Sequence, residues 1–305
     1  MATLPERIKI VEVGPRDGLQ NEAKPVPTDR KIAFIEALAD AGLKQIEATS
    51  FVHPKTVPQL ADAVEVAKAL PRGDGVVYSA LVPNEKGLDR AVESGIRRIA
   101  LFTAASDTFA RRNLRMSIDE SVNAFRPVAR RALQAGITVR GYVSTAFVCP
   151  YEGEIAKERV RDVTERLVEL GCDEVAVSDT IGAAAPGDVL ATVGFVAERV
   201  PRKKIALHFH DTYGTALANV CAGLQLGIET YDSSAGGLGG CPFAPGSTGN
   251  LATEDLVYML ERMGIRTGVK LEKVVKAAQD IAQCIGHELH SKQARRLGKA
   301  NGKQP

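Results

Sequence analysis

The 305-residue sequence has almost no excess of charge of either sign and no long apolar run. Its 39 basic and 37 acidic side chains leave a net charge of +2, which gives no field strong enough to indicate nucleic-acid binding. No stretch reaches the roughly 18 consecutive apolar residues of a transmembrane helix, and the first ten residues have charge and proline where a secretory signal is apolar. We therefore expect no nucleic-acid partner, no membrane insertion and no export.

Cysteine is scarce and scattered along the chain. The five cysteines, Cys149, Cys172, Cys221, Cys241 and Cys284, are odd in number and form no C-x-x-C pair. This pattern fits neither a disulfide framework nor a structural zinc site. Reduced thiols in a cytoplasm are the expectation.

What the sequence does contain is a regular alternation of strand-like and helix-like segments, with no linker rich in serine, proline or glycine. Amphipathic segments with apolar residues at three- and four-residue spacing separate the strand candidates, and a glycine closes many of these helices. The eight predicted strands are 8–13, 45–50, 76–82, 98–103, 138–144, 174–179, 204–210 and 229–235.

Eight β/α units in about 260 residues match a closed (β/α)8 TIM barrel better than an open doubly wound sheet, which commonly has five or six strands. We therefore predict a single catalytic domain over residues 1–305, with the barrel at about 7–265. An additional C-terminal helix is predicted at about 271–286, outside the barrel or at a subunit contact, and it makes a homodimer a reasonable expectation. The basic tail, 291–305, is expected to be solvated and poorly ordered.

Two of the five histidines stand on either side of a phenylalanine in the strand-like segment KIALHFHD. Successive side chains of a strand point to opposite faces, so His208 and His210 share one face and Phe209 takes the other. Two imidazoles that point into one space suit a divalent metal, although a pair of buried or surface histidines without a metal has the same spacing.

Several polar residues lie in, end or follow the predicted strands near the C-terminal rim, where the active sites of TIM barrels lie. They are Arg16, Asp17, Glu47, Ser144, Asp179, His208 and His210. Burying carboxylates and imidazoles together is costly unless a cation or hydrogen-bond donors compensate, so the predicted fold favours a metal at this rim. Mixed oxygen and nitrogen donors suit Mg²⁺ or Mn²⁺, with Zn²⁺ or Co²⁺ as alternatives.

The segment 235–250, directly after the last predicted strand, has six glycines and two prolines in sixteen residues. Such a loop can approach a ligand closely or move as a lid. It is not a dinucleotide-binding fingerprint, because Pro242 stands where a glycine is needed. Within it, Cys241 is either a reactive thiol or a small filler, and Asn250 either lends an amide oxygen to the metal or caps the next helix.

The remaining histidines offer weaker patterns. In HELH, 287–290, the second histidine comes one residue too early for the H-E-x-x-H zinc motif, so this segment is expected at the surface. His53 follows the second predicted strand and is expected in a loop.

Four segments, in this order, resemble the 3-hydroxy-3-methylglutaryl-CoA lyase family of metal-dependent barrels: EVGPRDGLQNE, EATSFVHPKTVPQ, HFHDTYG and GGLGGCPFAPGSTGNLATEDLVYML. The resemblance covers roughly residues 7–285, and the cysteine loop is its most specific part. It implies cleavage of 3-hydroxy-3-methylglutaryl-CoA to acetyl-CoA and acetoacetate, with Mg²⁺ or Mn²⁺ as cofactor and an acyl-CoA as the small-molecule partner.

The resemblance also implies a role for each matching residue. Asp17, His208, His210 and Asn250 match metal-binding positions, Arg16 the substrate-polarising position, Cys241 the catalytic cysteine, and Glu47 and Asp179 supporting acidic positions in substrate binding. Asp17 or a water held by the metal is the candidate base.

Two other functions are compatible with the same barrel. A Claisen-type synthase or aldolase would join an acyl-CoA to a 2-oxo acid, or split a hydroxy-oxo acid. A barrel that binds metal and acyl-CoA without turnover is the other alternative, but mere binding needs no proton donor such as Cys241.

Overall fold

The computed structural model describes residues 4–240 and 249–300, and in the last helix it describes side chains only up to residue 297. Its strands are β1 (Lys9–Glu12), β2 (Gln45–Ser50), β3 (Val77–Leu81), β4 (Arg98–Ala104), β5 (Thr138–Ser144), β6 (Val148–Cys149), β7 (Gly153–Glu154), β8 (Glu174–Asp179), β9 (Ile205–Phe209) and β10 (Thr230–Ser233). Its α-helices are α1 (Thr28–Asp40), α2 (Ala63–Ala69), α3 (Glu85–Glu93), α4 (Asp107–Leu114), α5 (Ile118–Gln134), α6 (Lys157–Glu169), α7 (Pro186–Val196), α8 (Ala216–Gln225), α9 (Thr253–Arg262), α10 (Leu271–Ile285) and α11 (Lys292–Ala300).

Eight of these strands form a closed parallel barrel in the order β1-β10-β9-β8-β5-β4-β3-β2. The short antiparallel hairpin β6–β7 is inserted between β5 and α6 and takes no part in the barrel. The predicted (β/α)8 fold is therefore confirmed, and each predicted strand coincides with a barrel strand to within two residues at either end.

The helix signals read from the sequence act as expected. Ser117 accepts a hydrogen bond from the Glu120 backbone N–H, while the Glu120 side chain accepts one from the Ser117 backbone N–H, which closes the capping box of α5. Gly42, Gly136 and Gly171 each end a helix with a positive φ. These local stop signals account for the accuracy of the predicted boundaries.

The C-terminal region corrects one expectation. The start of the basic tail forms α11, whose first turn is held by Asp255: its carboxylate accepts hydrogen bonds from the backbone N–H groups of Lys292 and Gln293 at 3.0 and 2.8 Å. The first backbone N–H groups of a helix have no partner within the helix, and Asp255 supplies one. The helix was not predicted because the basic side chains of this segment indicated a solvated tail. The additional helix α10 buries its apolar face inside the chain, mainly against α1.

Within the described residues, no helix is both long and apolar enough to cross a membrane.

The interior of the barrel holds a column of ion pairs, formed by Lys9, Glu174, Arg140 and Asp232. Arg140 Nε donates to Glu174 at 2.9 Å, and its two terminal nitrogens donate to the two oxygens of Asp232 at 3.0 and 2.6 Å. Lys9 completes the column by pairing with Glu174 at the N-terminal end of the barrel. Every charge in the column faces an opposite charge, which offsets the large cost of removing it from water.

Two buried carboxyl groups lie under the loops that follow β1 and β10. Glu12 accepts hydrogen bonds from the backbone N–H groups of Gly14 and Ala235 and from the Thr253 hydroxyl. Both oxygens of Glu254 accept from the Gly236 N–H at 2.8 and 2.9 Å. Burial raises the pKa of Glu12 to about 7 and that of Glu254 to about 8.

These raised pKa values make stability depend on pH. An unfolded glutamate has a pKa of 4.5, so the folded chain holds protons that the unfolded chain has released between about pH 4.5 and 8. The contribution of these protonated carboxyl groups to the free energy of unfolding is complete below pH 4.5 and is lost as the pH rises to about 8. Between pH 5 and 8.5 the free energy of unfolding should decrease in the wild type. In Glu254→Gln, which mimics the protonated acid, we expect this decrease to be smaller by at least about 1 kcal/mol. Denaturant titrations across that range measure the difference, and parallel stability curves would contradict it.

Candidate active site

The alternation of β9 places both histidines at the C-terminal end of the barrel. His208 and His210 point towards the barrel axis with ring centroids 5.3 Å apart, while Phe209 is buried on the opposite face beside Phe147. Both histidine residues are almost completely buried, at 6% and 4% relative exposure. The shared face predicted from the H-x-H spacing is therefore observed.

Arg16 and Asp17 lie on a tight π-helical turn, Gly14–Gly18, directly after β1. The backbone N–H groups of Arg16, Asp17 and Gly18 all converge on the carbonyl oxygen of Val13, at 3.2, 2.7 and 3.2 Å. Gly14 permits this turn, because a Cβ there would lie 2.7 Å from the Glu12 carboxylate. Single π turns of this kind are frequent at functional sites.

Arg16 is held from below by a carboxylate and an aromatic hydroxyl. Its Nε pairs with Glu47, and Tyr142 donates its hydroxyl proton to the other Glu47 oxygen at 3.0 Å. Its Nη1 donates to Asp17 at 2.5 Å. Although burial disfavours a charged guanidinium, Glu47 and Asp17 raise the pKa of Arg16 above its usual value, so it remains a cation.

Asp17, His208 and His210 form a cluster in which one potential ligand atom from each lies within 4.8 Å of the others. The nearest oxygen of Asp17 lies 3.9 Å from His210 Nε2. Burial opposes ionisation of Asp17, but Arg16 and the histidines outweigh it and lower its pKa to about 2, whereas burial lowers the pKa of His210 to about 4. An ionised carboxylate beside a neutral imidazole is the protonation state that a metal ligand set requires.

Asn250 lies against this cluster through a β-bridge with His210. Its amide nitrogen donates to Asp17 at 2.9 Å and to the Leu238 carbonyl at 3.0 Å. Its amide oxygen and the Nδ1 atom of His210 are both buried without a hydrogen-bond partner in the described part of the chain. Asn250 does not cap α9, whose N-cap position is Ala252.

The two unpartnered atoms, the Asn250 amide oxygen and His210 Nδ1, indicate whether a divalent ion fits this cluster. Buried acceptors without donors are rare, and a cation is one group that satisfies them. One carboxylate, two imidazoles and an amide oxygen also form a donor set that divalent ions accept. Ligation by Asn250 requires its amide to turn over, since its nitrogen faces Asp17.

A cavity of about 390 Å³ opens above this cluster. Its polar floor includes Arg16, Asp17, Tyr142, His208 and His210. Its walls include the apolar side chains of Val52, Val57, Leu81, Phe102, Phe109 and Leu114. Ser144, which the sequence placed at the rim, also lines the cavity. A polar floor under apolar walls is the usual form of a small-molecule site.

Three of the sequence-predicted residues that the structure describes, Glu47, Asp179 and Asn250, do not line the cavity. Glu47 lies beneath Arg16, and Asp179 turns away from the barrel axis, where its two oxygens accept hydrogen bonds from Ala183 and Ala184 at 3.1 and 3.0 Å. Asp179 thus organises the loop after β8, and burial raises its pKa to about 6. Cys241 lies outside the described residues.

The other two histidine segments are peripheral, as expected. His53 is exposed in the loop after β2. His287 and His290 are exposed on the segment before α11, with His287 bonded to Glu22 at 2.8 Å.

Sequence reasoning missed two residues that contact the site. Tyr142 donates a hydrogen bond to Glu47, and its ring lies under the Arg16 guanidinium. Asp232 forms a hydrogen bond with His208 Nδ1 at 3.2 Å. Tyr142 and Asp232 occupy inward positions of β5 and β10, but strand alternation alone does not show which residues an inward side chain contacts.

Comparisons with known proteins agree with this geometry. The family model described as HMGL-like matches residues 7–281. The chain is similar to the mitochondrial hydroxymethylglutaryl-CoA lyase of Bos taurus, with 50% identity over 96% of this chain and 90% of that protein. It is also similar to the crystal structure of the Bacillus subtilis HMG-CoA lyase, with a TM-score of 0.95, 50% identity and coverage of 97% and 99% of the two chains.

A second solved structure contains ligands. It is the Acinetobacter baumannii HMG-CoA lyase in complex with coenzyme A and 3-methylmalate, with a TM-score of 0.92, 38% identity and coverage of 100% of this chain and 99% of that one.

Removal of one imidazole tests the metal cluster. We expect His208→Ala to raise the Mn²⁺ dissociation constant at least about tenfold, because it deletes one donor from a small ligand set. His53→Ala, which removes an exposed histidine outside the cluster, is the matched control and should bind as the wild type does. Titration calorimetry or Mn²⁺ electron paramagnetic resonance measures both. Superimposable titrations of wild type and His208→Ala would remove His208 from the ligand set.

Proposed function

The chain belongs to the HMGL-like family, and we propose that it is a carbon–carbon lyase that cleaves 3-hydroxy-3-methylglutaryl-CoA to acetyl-CoA and acetoacetate. The observation that carries this proposal is the convergence of Arg16, Asp17 and the two histidines on the floor of one cavity. Relatives at about half identity over nearly the whole chain are named for the same activity.

The cavity suits an acyl-CoA whose reacting end reaches the polar floor. The apolar walls can cover the methyl and methylene groups of the acyl part, while the floor supplies charge for its hydroxyl, carboxylate and thioester oxygens. The A. baumannii relative was solved in complex with coenzyme A and 3-methylmalate, which supports an acyl-CoA as the ligand.

Family membership implies a divalent metal ion, and Asp17, His208, His210 and Asn250 are the residues that would hold it. We propose Mg²⁺ or Mn²⁺, because a carboxylate and an amide oxygen are hard donors. Such an ion, when bound, acidifies a hydroxyl group that it contacts.

Asp17 is the one carboxylate that lines the cavity among the described residues. We propose that Asp17 accepts the proton of the substrate's tertiary hydroxyl group. As that proton leaves, the C3–O bond becomes a carbonyl, the C2–C3 bond breaks, and its electron pair moves into the thioester to form an enolate. Arg16 points its guanidinium at the same floor and stabilises the enolate oxygen, a contribution on the order of 2 to 4 kcal/mol in the transition state.

The enolate carbon then needs a proton to become the methyl group of acetyl-CoA. The described ends of the glycine-rich segment lie beside the site: Gly240 lines the cavity, and its carbonyl accepts a hydrogen bond from Asn21 at 2.8 Å. Cys241 is covalently next to Gly240, so we propose its thiol as the proton donor. The proton that Asp17 accepted then passes to the thiolate, which restores both groups.

We also propose a homodimer in a reducing compartment such as the cytoplasm. Light scattering after size-exclusion chromatography determines the mass in solution.

A product assay separates the proposed lyase from a synthase on the same barrel. Purified protein with Mg²⁺ should release acetoacetate and acetyl-CoA in equal amounts from 3-hydroxy-3-methylglutaryl-CoA. Acetyl-CoA plus a 2-oxo acid should yield no free coenzyme A under the same conditions. The reverse pattern would overturn the lyase assignment in favour of a Claisen-type synthase.

Replacement of the proposed proton donor tests its role. Cys241→Ala should keep the affinity for acyl-CoA but lose at least about 10²-fold in turnover, as expected for removal of a general acid. Cys284→Ala removes an exposed thiol on α10 and is the matched control, expected to turn over as the wild type does. If Cys241→Ala turned over normally, the thiol would be only a filler.

A further inference from the structure

Asp232 is a completely buried carboxylate on β10 that no step described above uses. Its side chain points into the barrel, where β10 pairs with β9 and brings Asp232 level with His208. One of its oxygens lies 3.2 Å from His208 Nδ1. The carboxylate therefore stands directly behind an imidazole of the metal cluster.

Arg140 fixes the hydrogen-bonding role of this carboxylate. It donates to both Asp232 oxygens, at 3.0 and 2.6 Å, in the bidentate geometry of a guanidinium–carboxylate pair. A carboxylate that receives two such bonds acts only as an acceptor. The partner atom, His208 Nδ1, must then carry a proton, and in the neutral imidazole that a metal ligand requires this leaves Nε2 with a free lone pair.

The orientation of the His208 ring is restrained as well as its tautomer. The Tyr142 ring packs edge-on against it, with centroids 6.2 Å apart and an angle of 88° between the planes. Tyr142 is itself fixed by hydrogen bonds with Arg140 and Glu47, at 2.5 and 3.0 Å. Rotation of the imidazole would break its contacts with both Asp232 and Tyr142.

We propose that Asp232, held by Arg140, is a positioning residue that keeps His208 in the Nδ1–H tautomer so that Nε2 faces the divalent ion. Residues behind metal-bound histidines commonly act in this way, and their loss weakens metal binding about 10- to 100-fold. This inference rests on the metal site of the proposed function but not on the reaction, so Mn²⁺ binding without substrate can test it even if the lyase assignment fails.

The first experiment measures the tautomer directly in the wild-type protein. Long-range ¹H–¹⁵N correlation spectra distinguish Nδ1–H from Nε2–H histidines, and comparison with His208→Gln assigns the His208 signals. We expect the neutral imidazole of His208 to give the Nδ1–H pattern in the metal-free protein. An Nε2–H pattern would overturn the proposal whatever the variants do.

The second experiment changes the carboxylate. In Asp232→Asn the amide oxygen should turn to Arg140 and the amide nitrogen should donate to His208 Nδ1, which imposes the Nε2–H tautomer. We expect that switch in the spectra together with a Mn²⁺ dissociation constant raised about 10- to 100-fold. A variant that keeps both the wild-type tautomer and the wild-type Mn²⁺ affinity would reduce Asp232 to a structural residue.

Lys9→Met is the matched control, because it breaks the ion-pair column at its outer end and leaves Arg140, Asp232 and His208 in place. Lys9 has 39% side-chain exposure and lies at the opposite end of the barrel from the metal cluster. Its tautomer spectrum and Mn²⁺ affinity should match those of the wild type within about twofold. A tenfold weaker affinity in Lys9→Met would show that any disturbance of the column matters, and would overturn the specific role of Asp232.

Discussion

The charges buried along the barrel axis depend on one side chain, the fully buried Arg140. It pairs with Glu174 below and Asp232 above, so it connects the N-terminal end of the barrel with the metal cluster. Without it, two buried carboxylates would lose a counter-charge, and such an imbalance costs several kcal/mol. Apolar residues would stabilise this space as well or better, but they would leave His208 without an acceptor for Nδ1. The column therefore links the stability of the barrel to the geometry of its active site.

The fold was predictable from local signals, because strand alternation, helix caps and closing glycines all act over a few residues. The site was predictable in part. The H-x-H spacing placed His208 and His210 on one face, and the rule that barrel sites lie at the C-terminal ends of strands brought them to Arg16 and Asp17. Asp232 was missed because its importance comes from pairing across strands, with Arg140 distant by 92 residues. The register between strands, unlike alternation within one strand, leaves no short pattern in the sequence.

Strand parity also explains why acidic residues near the rim divide into two groups. Glu47 and Asp232 occupy inward positions, where they hold Arg16 and His208. Glu12 and Asp179 occupy outward positions, where they accept hydrogen bonds from the backbone of the loops that follow. A shift of one residue would exchange the two functions. The resemblance that grouped Asp179 with Glu47 as supporting acids could not separate them, because motif identity does not include the direction of a side chain.

The net charge of the side chains at and beneath the cavity floor determines whether the floor favours a cation or an anion. Arg16 carries one positive charge, Asp17 and Glu47 each carry one negative charge, and Asp232 is neutralised by Arg140. With neutral histidines the floor has a net charge of about −1, which favours a cation and repels an anionic acyl group. A bound divalent ion would change this net charge to about +1, which would favour the carboxylate of an anionic acyl group.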